Sequence, residues 1–327
     1  MNFLAAVETA QVHSYNVPWF LYAIVVAALV MYALIEAHHT RKDHVVKFKE
    51  AVHWSAFYIA IALLFSIPIF IFISAQAGGE YLAAWAIEKA LSLDNLFVIS
   101  LIFTSFKVHP EFERRMLNYG IAGAIVFRLL FILAGFELLK RFEWVSIIFG
   151  LILLRAAWKA LKEARHGHDS EKEQLEIAEG RMWKILTKVL PIHPKFDGHK
   201  LTTVVNGKRM LTMMAAVIIL IELTDIVFAV DSVPAVLAVS PDRFIAYSSN
   251  VFALLGLRAL FFVYQSVADK FWALNWALAI ILAWISFKLI GAPLGLHVPV
   301  AVSLGVLAAL FLGSIVISLT WKKGQTS

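Results

Sequence analysis

The chain has no cysteine among its 327 residues. That absence excludes disulfides, thiolate metal sites and thiol catalysis, and it leaves the cellular compartment open. Charge is scarce too: Asp, Glu, Lys and Arg make up 16% of residues against 61% hydrophobic, with a mean hydropathy of +0.78. A soluble protein of this size could not cover so much apolar surface, so composition points to a polytopic membrane protein. A cleavable leader is also missing from the expectation. "MNFLAAVETAQVHSYN" lacks a basic start and a sustained apolar core, so the first span is expected to be retained.

Windows of about 20 apolar residues give nine candidate spans, over 18–36, 54–73, 81–106, 117–139, 143–162, 211–239, 244–267, 271–290 and 298–320. The expected fold is an all-α polytopic membrane protein of about nine transmembrane helices. Two N-terminal helices occupy 1–75, a three-helix unit 76–162, a linker 163–210, a second three-helix unit 211–290, and a final helix with its tail 291–327. Lysine and arginine gather after every odd-numbered span, with only Lys140, Arg141 and Arg243 on the other side. The positive-inside rule then puts the N-terminus outside and the linker and C-terminus in the cytoplasm. The same asymmetry explains a sequence pI of about 9.4 without nucleic acid. Within the linker, 170–189 reads as an amphipathic helix ending before Pro191. His166 and His168 beside Asp169 read either as a solvated loop or as a cytoplasmic metal-sensing site.

Charge inside the spans is expensive and calls for a use. "EKALSLDNL" brings Glu88, Lys89, Asp94 and Asn95 into the third span, and "DIVFAVDSV" repeats the spacing with Asp225, Asp231 and Ser232 in the sixth. Each embedded charge costs at least ~2.5 kcal/mol at the bilayer centre, so these side chains should face protein and be paired or in use. Arg128 and Arg258 follow in the next spans, then Lys159 and Lys288. Two similar units of three spans must enter the membrane from opposite faces, which predicts inverted repeats of the secondary-transporter type.

On a regular helix Asp94 lies about 120° around from Glu88, and Asp231 the same from Asp225. A bend or unwound turn is therefore expected, with Pro234 as its cause in the second unit. The embedded acids are Glu88, Asp94, Glu222, Asp225 and Asp231; Lys89, Arg128 and Arg258 are the supporting charge partners, with Lys89 read as a tether for a carboxylate. Glu36 and Glu137, near span ends, read as snorkelling, and Trp144, Trp272 and Trp321 as interfacial anchors. None of the eleven histidines falls mid-span. An all-oxygen donor set suits Mn²⁺, Mg²⁺ or Ca²⁺ and argues against Zn²⁺ and Cu⁺. The bland alternative keeps the arginines as purely structural ion pairs.

"EKALSLDNLFVIS" followed by "IELTDIVFAVDSVPAVLAVS" resembles the paired signature of the TerC family of integral membrane proteins, within the LysE-type exporter group. The likeness extends over "FRLLFILAG" and "NVFALLGLRALFF", and is nearest to the Alx-like bacterial members. It implies Mn²⁺ export across the bacterial inner membrane through Glu88, Asp94, Glu222, Asp225 and Asp231, with Asn95 alongside. It also implies looser links to tellurite resistance, alkaline response and metal loading of secreted enzymes. The expected partners are the lipid bilayer, Mn²⁺ as substrate and protons as coupling ion, with no organic cofactor; the sequence leaves a homo-oligomer open. A membrane aspartyl protease is disfavoured because "VFAV" precedes Asp231 where glycines would be required. A metal-delivery protein that catalyses no net flux is the alternative.

Overall fold

The computed structural model describes residues 15–40, 48–142, 144–166, 180, 183–267, 272–296 and 298–320. Its helices are α1 (Trp19–Thr40), α2 (Phe48–Phe72), α3 (Ala75–Ser105), α4 (Pro110–Arg141), α5 (Val145–His166), α6 (Met213–Val239), α7 (Arg243–Leu255), α8 (Leu257–Val267), α9 (Trp272–Gly291) and α10 (Val300–Thr320). Five helices among the described residues are long and apolar enough to cross a membrane, six if α7 and α8, bent by 48° at their junction, form one span. The protein is an all-α polytopic membrane protein, with one hairpin in the linker among the described residues.

Local chemistry sets the helix ends. Ser74, Thr212 and Asp242 cap α3, α6 and α7, each accepting from the backbone N–H three residues on, at 3.0, 3.3 and 3.0 Å. Helix α4 begins with Pro110, carries Glu111 and Glu113 in its first turn, and ends on Lys140 and Arg141. Each charge opposes the pole of the helix dipole it sits on.

The helices pack around two cores. One is aromatic, with Phe65 of α2 stacked on Phe252 of α7 at 4.4 Å and Tyr81 of α3 against both. The other is aliphatic and joins α3, α4, α5, α6, α9 and α10. Helices α5 and α9 make the most extensive pairing. A Cβ at Gly150 would meet Ile290 Cγ1 at 2.5 Å, while the Ser286 hydroxyl donates to the Gly150 carbonyl at 2.7 Å. A small residue and a hydroxyl thus let two helices approach closely where lipid supplies no hydrophobic drive.

The linker is more ordered than the sequence reading expected. Strands β1 (Thr202–Val205) and β2 (Lys208–Leu211) pair antiparallel around Asn206 and Gly207, whose φ values are 51° and 73°. Two consecutive positive φ angles make the tight turn that Asn-Gly favours. Thr212 ties the hairpin to its base by donating to the Lys200 carbonyl at 2.7 Å, and Phe196 stacks on Phe112 of α4 at 5.4 Å. Asp197 accepts from Thr203 Oγ1 at 2.9 Å and from Lys200 at 3.3 Å; these bonds hold its carboxyl below the usual carboxylate range. Of the amphipathic helix expected over 170–189, residues 183–189 are helical. The rest of it, except Gly180, lies outside the described residues, as do His168 and Asp169; His166 ends α5, and its side chain is likewise outside them.

The expected unwinding is absent. Helix α6 runs unbroken through Pro234 and α3 through Asn95. Pro234 lies among side chains buried from Ser232 to Val239, and in an apolar helix neighbours can hold a proline in register although one ladder bond is lost. The bend instead falls at Gly256, between α7 and α8.

Candidate functional site

The two acidic motifs meet at one guanidinium. Arg128 of α4, fully buried, is ion-paired with fully buried Glu88 of α3. It also donates through Nε and Nη2 to the two Asp225 oxygens of α6, at 3.2 and 3.0 Å, and through Nη1 to Ser232 Oγ at 3.4 Å. Asn95 of α3 donates to Asp225 Oδ1 at 3.4 Å. Three helices are tied by one planar fork, the bidentate arrangement in which arginine binds carboxylate best.

Helix geometry explains why no break is needed. Glu88 and Asn95 are seven residues apart, as are Asp225 and Ser232, and seven residues return within about 20° of the same face. The cooperating pairs are therefore 88 with 95 and 225 with 232, not 88 with 94 and 225 with 231. Asp231 faces elsewhere, into a cavity of ≈ 40 Å³ lined also by Asn95, Ser232, Phe228, Lys159 and Leu278. A space of that size holds a water or a bare ion. Lys159 sits over the Phe228 ring, 5.6 Å from its centroid.

Glu222 lies one turn before Asp225 and rests over Gly123 of α4, where any Cβ would collide with its carboxyl group. Its Oε2 is buried with no hydrogen-bond partner among the described residues. The Asp94 side chain lies outside the described residues. Among those described, no three His, Asp or Glu side chains gather closely enough to hold a metal ion. The expected ligands thus divide into a clamped group (Glu88, Asn95, Asp225), a neighbour (Glu222) and a cavity acid (Asp231).

Two supporting charges have other partners than expected. Lys89 donates to the Ala253 carbonyl at 2.6 Å rather than to a carboxylate. That carbonyl is in the last turn of α7, just before the bend, where helix-terminal carbonyls lack intrahelical donors and attract a cation. Lys288 plays the same part for α6, donating to the Ala238 carbonyl at 3.2 Å. Arg258 is buried against Glu36 of α1 and donates to Asn118 at 3.5 Å, so it stands apart from the acidic motifs. Glu36 is 5% exposed and is therefore an ion-pair partner, not a snorkelling residue. Glu137, by contrast, is exposed and pairs with Arg243.

A second buried polar group went unread in the sequence. Glu80 of α3, 3% exposed, accepts from Tyr15 Oη at 3.1 Å, Gln76 at 2.9 Å and Ser240 at 2.7 Å. Asp242 accepts from the Tyr15 backbone N–H at 2.9 Å and also caps α7. The apolar window over 81–106 begins one residue past Glu80, whereas α3 begins at Ala75. The capping signal at Ser74 would have extended the helix and brought Glu80 in.

A family model described as the integral membrane protein TerC family matches residues 73–326. The chain belongs to the TerC family. It is 38% identical over 308 residues to an uncharacterized membrane protein of Rickettsia felis, covering 93% of this chain and 98% of that one. An uncharacterized membrane protein of Myxococcus xanthus is 36% identical over 291 residues, 89% of each chain. A protein of Escherichia coli (strain K12), named a candidate membrane-bound redox modulator, Alx, is 34% identical over 308 residues, 92% of this chain and 93% of that one. No solved structure matches.

Proposed function

We propose that this TerC-family chain exports divalent cations, Mn²⁺ first among them, from the cytoplasm by proton antiport. The observation that carries the reading is the meeting of Glu88, Asn95 and Asp225, from both acidic motifs, around one buried cation beside the Asp231 cavity. A guanidinium held between carboxylates in apolar surroundings marks a place where positive charge is favoured. Among the described residues its partners are the oxygens of Glu88, Asp225 and Ser232, a donor type that suits Mn²⁺. Membrane-embedded acids of this kind mark ion paths. The reading includes nine spans, inverted units, the N-terminus outside and the bacterial inner membrane as location, with no catalytic residue and no organic cofactor. The E. coli relative's name speaks of redox; in this chain thiol redox chemistry is excluded, because there is no cysteine.

Energetics favour coupling. An interior 100 mV negative opposes export of a divalent cation by ~4.6 kcal/mol, at ~2.3 per charge. The test is Mn²⁺ flux by purified protein in proteoliposomes under an imposed pH gradient, with Asp94→Ala and Asp231→Ala as controls. Saturable, gradient-dependent flux lost in both variants is the expected result. Wild-type flux in both variants would refute the acidic site. Binding without flux in the wild type would favour metal delivery to a partner instead.

A further inference from the structure

We infer that Arg128 is a built-in counter-cation that occupies the carboxylate site when substrate is absent and must leave it for a divalent cation to bind. The inference rests on the exporter reading and adds how that site is kept closed to the wrong charge.

Four observations carry it. Arg128 is fully buried and spends its fork on acids from two different helices, Glu88 and Asp225. The residues it engages are those that the paired motifs place at heptad spacing, so the guanidinium lies where the donors of both motifs converge. With Arg128 in place, the two carboxylates keep one net negative charge; a divalent cation in its stead would bring them to neutrality. Finally, a small cavity adjoins the clamp on the Ser232 side. Ser232 accepts from Arg128 Nη1 and also lines the adjoining cavity, together with Asn95 and Asp231. A swing of the guanidinium toward that cavity would bare Glu88 and Asp225 while keeping a polar partner.

A structural ion pair and a displaceable counter-ion make opposite demands on substitution. A structural arginine, once removed, weakens everything around it. A competing arginine, once weakened, lets the metal bind more tightly, because apparent affinity is reduced by the fraction of molecules in the clamped state. Arg128→Lys keeps the charge but cannot grip Glu88 and Asp225 together through a planar fork.

The experiment titrates MnCl₂ into the purified full-length wild type, Arg128→Lys and Arg128→Gln, reading half-saturation and the thermal midpoint with and without metal. The lysine variant should half-saturate at about tenfold lower Mn²⁺, as expected if the clamped state is favoured roughly ten to one. The glutamine variant should melt well below the wild type without metal and show a larger Mn²⁺-induced rise in midpoint, since the metal replaces the missing cation. Half-saturation unchanged or higher in the lysine variant would overturn the inference, whether or not the glutamine variant folds. A rise in the glutamine variant no larger than the wild type's would do the same. Absence of saturable Mn²⁺ binding in the wild type would instead overturn the exporter reading on which the inference stands.

Discussion

Arg128 and Arg258 occupy matching places after the two acidic motifs, yet they are used differently. Arg128 lies in the unbroken helix α4 and joins α3 and α6 by holding Glu88 and Asp225. Arg258 lies just beyond a 48° bend and holds Glu36 of α1, far from either motif in the chain. The bend makes the difference. At Gly256 a Cβ would stand 2.9 Å from Tyr58 Cβ and 3.3 Å from Lys89 Nζ, and Lys89 satisfies a carbonyl that the bend leaves open. One arginine therefore joins the two acidic motifs and the other locks an N-terminal helix onto the bundle.

The comparison can be broken most severely at Glu36. Glu36→Ala leaves the Arg258 charge buried without its acid, which should cost about 3–5 kcal/mol of stability. Thermal unfolding in detergent measures this, and Mn²⁺ half-saturation should not move. A shifted half-saturation would show that the two arginines share a role after all. Lys89→Met comes next. It strips the Ala253 carbonyl of its donor and should cost about 1–3 kcal/mol. An unchanged unfolding midpoint would mean that the bend holds without its cationic cap. Tyr15→Phe removes one of three donors to Glu80 and should cost only ~1 kcal/mol; a larger loss would make the Tyr15 latch as important as the arginine clamps.

The smallest effect concerns the linker hairpin. Folding lowers the Asp197 carboxyl from its model-compound value of 3.8 through Thr203 and Lys200. Its contribution is accordingly full above pH 3.8 and fades as the pH falls through the lower folded-state value. Asp197→Asn should speed amide exchange in 202–211 slightly at neutral pH and make that exchange less sensitive to acidification below pH 3.8. Identical exchange in variant and wild type would remove Asp197 from the account.

The membrane class and the acidic motifs were legible because they depend on residue type and short spacing. Glu88, Asn95, Asp225 and Arg128 were all marked in the sequence. Their grouping was not, because the spacing that stood out, 88 to 94, suggested unwinding, whereas the spacing that mattered, 88 to 95, keeps one face of a straight helix. The Asn206-Gly207 turn was legible by the same kind of local rule but lay in a segment read as plain linker.

What the sequence determined by itself is therefore local: apolar runs, caps, the Asn-Gly turn, and an acid-rich pair of helices without thiol or mid-span imidazole. Partner choice was decided only by tertiary structure. Arg128 with Glu88 and Asp225, Arg258 with Glu36, Lys89 with the Ala253 carbonyl, and Tyr15 with Glu80 all join residues distant in sequence. A buried charge takes whichever opposite charge or open carbonyl the packed helices bring within reach, and no local spacing records that.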